Sequence, residues 1–543
     1  MFRRLVLAVA CAGLLGCDVA DVALGRSAPS DDHRIGNRDP GTLVIGRATD
    51  AISLDPARVT DNESAEVSFQ IYDTLVQWEP GTATPAPGLA TSWSVDPSGV
   101  VWTFALRRGV SFHDGTPFDA DAVVFSLERQ RDPGHPFHRP DFQYWPNIYR
   151  DVVKVEKVDA YTVQITIDRP YAPFAANMAM FPVSIVSPSA VAQWGDDYGE
   201  HPVGTGPFVF ERWDRGGRVV LRRNASYWGG APELDRLVFE VIEDPRQRLV
   251  ALESGAIDIA SAVLPEELQF VDLHPGLVLH ETAANNVAYL AMNLRPRDDG
   301  KLQPLRDVEV RHAISYAINK EPIVQLAFQG LAIPADGPLP PSQWGYHKPR
   351  ALYDYDPGRA RALLADAAAR GVFDPAQELT LYAPSAPRPY LPSPERVARA
   401  VQANLADVGI RTRLVIQPFA DHLKSLRNAE HDLCLLGWVG DNGDPDNFLQ
   451  QLDPDNTILG SAVNNAFYSD GEVRGLLSRA RETDDRLERE RLYARVQERI
   501  AEDAPWVPLA HSQVALAARD DVTGLILNPT GQVLYRSVRR VRE

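Results

Sequence analysis

The chain has 543 residues, 73 of them acidic and 55 basic, for a formal net charge of −18. That length exceeds what a single hydrophobic core usually supports, so two or three lobes are expected. The acidic balance argues against nucleic acid as a partner but says little about a pocket, whose local field can differ from the global sign.

The N-terminus reads MFRRLVLAVACAGLLGC. Arg3 and Arg4 form a basic start, and the apolar run of 5–15 is too short to span a bilayer. The run closes on Leu14-Leu15-Gly16-Cys17. It resembles a bacterial lipoprotein signal, which implies that residues 1–16 are removed and that Cys17 becomes the lipidated terminus. Asp18 implies retention at the inner membrane, facing the periplasm. Losing residues 1–16 removes Arg3 and Arg4 and takes the net charge to −20. Residues 17–40 then form the lipidated cysteine and a flexible tether. Of three cysteines, Cys11 leaves with the signal and Cys17 carries lipid. Cys434 is left alone in an apolar run and is expected to be a small buried hydrophobe. No later segment is apolar for 18 residues.

Strands are expected at 42–47 and 101–106, then a turn at His113-Asp114-Gly115 and a helix at 121–129. A hairpin is expected from 152–158 and 161–167, strands at 218–222 and 237–242, a helix at 246–254, and a strand at 286–293. Helical patterns then dominate, at 308–328, 356–370, 394–407 and 476–502. Strands at 379–383, 411–416 and 433–438 separate them, and 506–516 is a late strand. A mixed-sheet lobe followed by an α/β lobe is the outcome.

Catalytic signatures are missing. There is no Gly-x-Ser-x-Gly elbow, phosphate-binding loop or His-Glu-x-x-His pair. Gly204-Thr205-Gly206-Pro207 reads as a tight turn into a strand, and His113 as a turn residue. The run Asp441-Asn442-Gly443-Asp444-Pro445-Asp446-Asn447 fails the spacing of a calcium loop. No cofactor or metal is expected.

Two signals remain. An apolar strand ends in Gly437-Trp438-Val439-Gly440 and releases Asp441 into a glycine-rich turn, a way to shelter one carboxylate for a ligand ammonium. Asp444 and Asp446 read as turn chemistry. A second strand breaks into the stiff loop Pro384-Ser385-Ala386-Pro387-Arg388-Pro389-Tyr390, whose prolines fix where one guanidinium points.

From about residue 40 onward the chain closely resembles the peptide-binding class of ABC-transporter substrate-binding proteins. The landmarks are Leu89-Ala90-Thr91-Ser92-Trp93, Leu106-Arg107-Arg108-Gly109-Val110, Phe112-His113-Asp114-Gly115, Pro202-Val203-Gly204-Thr205-Gly206-Pro207-Phe208 and Ala313-Ile314-Ser315-Tyr316-Ala317-Ile318-Asn319-Lys320. The segment GWVGDNGDPDNF and Arg388-Pro389-Tyr390 are closer to the dipeptide branch. The resemblance implies a type II-like, two-lobed α/β fold that closes on a hinge and carries an extra subdomain. Lobe I is expected at 41–283, with an insertion near 75–190, and lobe II at 284–510. Residues 511–543 return to lobe I, and the hinge is expected near 285–287 and 511–514.

In that branch an Asp and an Arg at the positions of Asp441 and Arg388 meet the ligand's α-ammonium and α-carboxylate. Trp438, Tyr390, Phe419 and Gly440 fall where the family lines its pocket. The family most often has Trp in place of Phe419 and a cysteine-bonded loop in place of 451–470, so a differently shaped loop is expected there. The implied protein is a monomeric, non-enzymatic lipoprotein that delivers dipeptides or short peptides to ABC-permease subunits. The alternative is the same fold holding haem, longer peptides, or antimicrobial or murein peptides.

Overall fold

The computed structural model describes residues 41–261 and 263–541. The predicted signal, the Cys17 anchor and the tether therefore lie outside the described residues. One long mixed sheet organises the chain and changes character at its middle. Strand β1 (Thr42–Arg47) is buried at five of its six positions, as suits a parallel strand covered on both faces. It pairs in parallel with Arg236–Val241 and Ile259–Ala260. The sheet continues outward through the antiparallel strands Arg218–Arg223 and Phe208–Asp214. Helix α1 (Asn62–Ile71) packs its Val67 and Ile71 into the core of this half, with Leu43 and Phe208. Asp61 caps α1 by accepting from the Ser64 amide at 2.8 Å.

A separate four-stranded antiparallel sheet joins Ala90–Val95, Val101–Leu106, Thr162–Ile167 and Val152–Asp159. With helix Ala120–Arg131 it closes its own core around Trp102, Phe104, Phe118 and Ile165. The glycine turn of 204–207 and the His113 turn meet at its border. His113 Nε2 bonds the Gly206 carbonyl at 3.0 Å. A Cβ on Gly204 would lie 2.2 Å from the Ile71 carbonyl oxygen, so the backbone approach there requires glycine.

The second half contains β2 (Asn286–Met292), β3 (Glu378–Pro384), β4 (Arg411–Gln417), helix α2 (Phe419–Arg427), β5 (Leu433–Val439) and β6 (Trp506–Arg519). Across the sheet these strands run β4-β3-β5-β2-β6. β3 is parallel to both β4 and β5, while β2 is antiparallel to β5 and β6. β2 is buried at every position. Cys434 lies on β5, buried and free, with burial pushing its thiol pKa up.

β6 belongs to both halves. Its beginning pairs with β2, and its end pairs with Leu277–Ala283 and Ile259–Ala260. The chain therefore crosses between the halves at 284–285 and again along 511–513. Asn286 ties the crossings together: its side chain bonds Ser512 Oγ at 2.7 Å and the Ser512 amide at 2.9 Å.

Two expected long helices are each divided. The pattern of 308–328 forms Val308–Ala317 and Lys320–Phe328. Pro322 would clash with the carbonyl four residues earlier in a continuous helix, and Ile318 is extended instead. The pattern of 476–502 divides into Gly471–Glu482 and Arg486–Asp503. Asp485 starts the second helix by accepting from the amides of Leu487 and Glu488.

Candidate functional site

Three neighbouring strands, β4, β3 and β5, run parallel and end on the same edge of the sheet. Carboxyl ends of parallel strands are where open α/β sheets hold their ligands. β4 leads to Phe419, β3 to Arg388 and β5 to Asp441. Side chains 22 to 53 positions apart in sequence thus share one rim.

The Asp441 turn is held from several sides. Asn447 Oδ1 accepts from Trp438 Nε1 at 2.7 Å and from the Asp441 amide at 3.2 Å. The Gly440 amide donates to the Asn285 carbonyl at 2.6 Å, at the crossing between halves. A Cβ on Gly440 would lie 2.4 Å from the Asn285 side chain and 2.5 Å from Phe448. Gly443, with φ of +73°, presses on Ala83 of the first half, where a Cβ would come within 2.3 Å of a carbonyl oxygen.

Asp444 and Asp446 do more than shape a turn. Asp444 Oδ1 accepts from the Asp446 amide, but it is also paired with Arg489 at 2.7 Å, both side chains being buried. Asp446 pairs with Arg481 at 2.7 Å, and the same guanidinium holds Asp453 at 2.6 Å. Arg481 so anchors the 451–470 segment, which carries no cysteine. Sequence reading missed these arginines because both sit in ordinary charged helical patterns, 35 to 45 residues away.

Asp441 has no ion-pair partner among the described residues. The residue is half-buried. Burial pushes its pKa up to about 6, with Asn447 opposing. The first half supplies the covering surface. Trp78 Nε1 reaches the Asn442 carbonyl at 3.5 Å, and Tyr171 donates to Asp446 at 3.3 Å. The Tyr144 phenol is pushed up by burial and then by the charge of Asp441.

The Arg388 loop is held by fewer bonds. Arg388 and Leu391 exchange backbone hydrogen bonds at 3.0 and 2.8 Å. Ser512 Oγ donates to the Pro389 carbonyl at 3.2 Å. Tyr390 is buried against Gly437, where a Cβ would fall 2.2 Å from its ring. The Arg388 guanidinium lies 3.3 Å over the Phe419 ring. Its Nε is buried without a hydrogen-bond partner among the described residues. A guanidinium with a free donor fits a carboxylate, whose two oxygens can take its fork, better than a neutral dipole that satisfies one donor.

This architecture defines a two-lobed solute-binding fold. The chain belongs to the bacterial extracellular solute-binding proteins, family 5, whose profile matches residues 84–458. It is 36% identical to di/tripeptide-binding protein 2 of Pseudomonas aeruginosa (strain UCBPP-PA14), over 90% of this chain and 93% of that one. It is 33% identical to heme-binding protein A of Haemophilus influenzae, over 98% of both chains. Among solved structures it is similar to the periplasmic binding protein DppA from Helicobacter pylori in complex with peptide STSA. That match has a TM-score of 0.75 and 32% identity over 92% of this chain and 98% of that one.

Proposed function

We propose that this protein captures dipeptides or short peptides for an ABC importer by clamping the two charged ends of the ligand. The Asp441 carboxylate takes the α-ammonium and the Arg388 guanidinium takes the α-carboxylate. Trp438, Tyr390, Phe419 and Gly440 line the space between. A zwitterion of fixed length satisfies both loops, and longer chains overrun the ruler. The observation that carries this reading is that these two opposite charges stand unpaired on adjacent loops of one sheet edge, beneath the other lobe.

The lobes are 41–283 with 511–543, and 284–510, turning about 285–287 and 511–514. Rotation at those crossings opens the cleft for the ligand. The Asn285 bond to Gly440 and the Ser512 bond to Pro389 connect them to both charged loops. The protein works as a monomer at the periplasmic face, held by a lipid on Cys17, and hands its ligand to permease subunits without chemistry.

Calorimetric titration with Ala-Ala tests the clamp. Asp441→Ala and Arg388→Ala should each weaken binding by roughly two to four decades, the cost of leaving one buried charge unpaired. Unchanged affinity in either variant refutes it. The haem-binding relative supports a second reading, that the cleft takes haem. A haem titration followed by visible absorption checks it, and a spectrum identical to free haem rejects it.

A further inference from the structure

Asn442 follows Asp441 directly, and it is buried. Its side chain works in two directions. The Oδ1 atom accepts from the Asp444 amide at 2.9 Å, which shapes the turn. The Nδ2 atom donates to Asn177 Oδ1, on the short helix Phe174–Asn177 of the first half. The Asn442 carbonyl meets Trp78 Nε1 of the same half at 3.5 Å. Asn177 is buried too, and the Tyr149 hydroxyl donates to its carbonyl at 2.7 Å.

A second set of bonds joins the same two regions. The Ala172 amide donates to the Arg481 carbonyl at 2.7 Å, and the Tyr171 hydroxyl to Asp446 at 3.3 Å. Arg481 is the residue whose guanidinium holds Asp446 and Asp453. Residues 171–177 of the first half thus seat on both the Asp441 turn and its brace. Each bond runs directly from protein to protein, so its strength does not depend on which ligand the cleft holds. A buried amide that loses its partner is costly, so the Asn177–Asn442 bond resists separation of the two halves.

We propose that Asn177 and Asn442 form a clasp that holds the two lobes together in the free and the loaded protein alike and sets how long a ligand stays. The inference rests on the clamp reading for the ligand and on the lobes turning about 285–287 and 511–514. Both asparagines act through the lobes, as positioning residues. A ligand leaves through the open form, so the clasp lowers koff. The same clasp keeps the free cleft closed part of the time and so slows entry. It acts equally on every ligand, leaving the preference among peptides to the clamp and its pocket.

Stopped-flow binding of Ala-Ala and Ala-Phe, with small-angle X-ray scattering of the free protein, tests the clasp in wild type, Asn177→Ala, Asn442→Ser and the double variant. Serine keeps an acceptor for the Asp444 amide and loses the amide donor, so the turn is retained. Each single variant should raise koff about tenfold, with kon unchanged or faster. The double variant should show no greater effect than either single one, because either substitution breaks the one bond. The free variants should have a larger radius of gyration than wild type. Unchanged koff in Asn177→Ala, effects that multiply in the double variant, a shifted preference between the two peptides, or radii equal to wild type overturn the clasp. An effect confined to Asn442→Ser also overturns it and assigns that residue to the turn alone. If wild type binds neither peptide, the clamp reading falls, and the scattering comparison alone decides the clasp.

Discussion

The two loops that carry the charges of the proposed clamp are built in opposite ways. The Asp441 turn is cross-braced by two ion pairs with buried carboxylates, an asparagine that joins it to Trp438, and glycines pressed against neighbouring backbone. The Arg388 loop has prolines, one short backbone bridge, one hydroxyl bond and a ring beneath its guanidinium. The difference follows from the two charges. A short carboxylate cannot move toward its partner, so its backbone must already stand where the ammonium will be. An arginine reaches along a long stem, and a stacking surface suffices to aim it.

The largest effect should come from breaking the bracing of the first loop. In Arg489→Ala, Asp444 stays buried without its counter-charge and the Tyr493 hydroxyl loses its guanidinium contact. Denaturant unfolding should show a loss of about 3–5 kcal/mol, as expected when one partner of a buried pair is removed. Dipeptide affinity should fall with it, because the same turn carries Asp441. A stable variant with normal affinity would show that glycine packing alone holds the turn.

A smaller effect separates the loops by pH. Only one clamp charge titrates in the ordinary range: the free Asp441 carboxyl lies at about 6. An ammonium ligand needs it ionised, so binding below that pH must release a proton. Between pH 7 and pH 5 the affinity for Ala-Ala should drop about tenfold, the share of protein already ionised at the lower pH being near one tenth. Asp441→Asn should remove the step. Stability moves the other way. The folded state holds a proton that the unfolded chain, near the ordinary 3.8, has given up. The contribution of this group is fully present below that lower value and is lost as pH rises through 6. Asp73 and Glu66 are raised by burial as well, so affinity rather than stability isolates Asp441. The buried His113, His422, His431 and His511 lie at about 4, below the window.

Much of this was legible before the structure. The strand ending at Trp438 and the helix of 394–407 follow from apolar periodicity, which survives any tertiary context that buries one face, whereas the helix Phe419–Arg427 beside that strand was not expected. Arg388 and Asp441 stood out because proline and glycine mark loops whose backbone is specified. What the chain alone could not disclose is pairing over distance. Asp444 and Asp446 looked like turn residues because Arg481 and Arg489 are placed beside them only by the fold. The breaks at Pro322 and at Thr483-Asp484-Asp485 carry local signals, a proline and an aspartate cap, but helical spacing resumes after each.

The smallest effect probes the looser loop. Phe419 touches Arg388 through the face of its ring, and it also packs at the edge of the core around Tyr289 and Leu436. Phe419→Leu keeps an apolar side chain there and removes the π face. If the ring serves to aim the guanidinium, Ala-Ala affinity should fall by about 0.5–1 kcal/mol, a few-fold in Kd, with the thermal midpoint unchanged. Phe419→Trp should act in the opposite direction, since indole is the better cation partner. A lowered midpoint with unaltered affinity would assign Phe419 to packing alone. The Arg388 loop would then be aimed by its prolines and the Ser512 bond, and the contrast between the two loops would be one of rigidity rather than of kind.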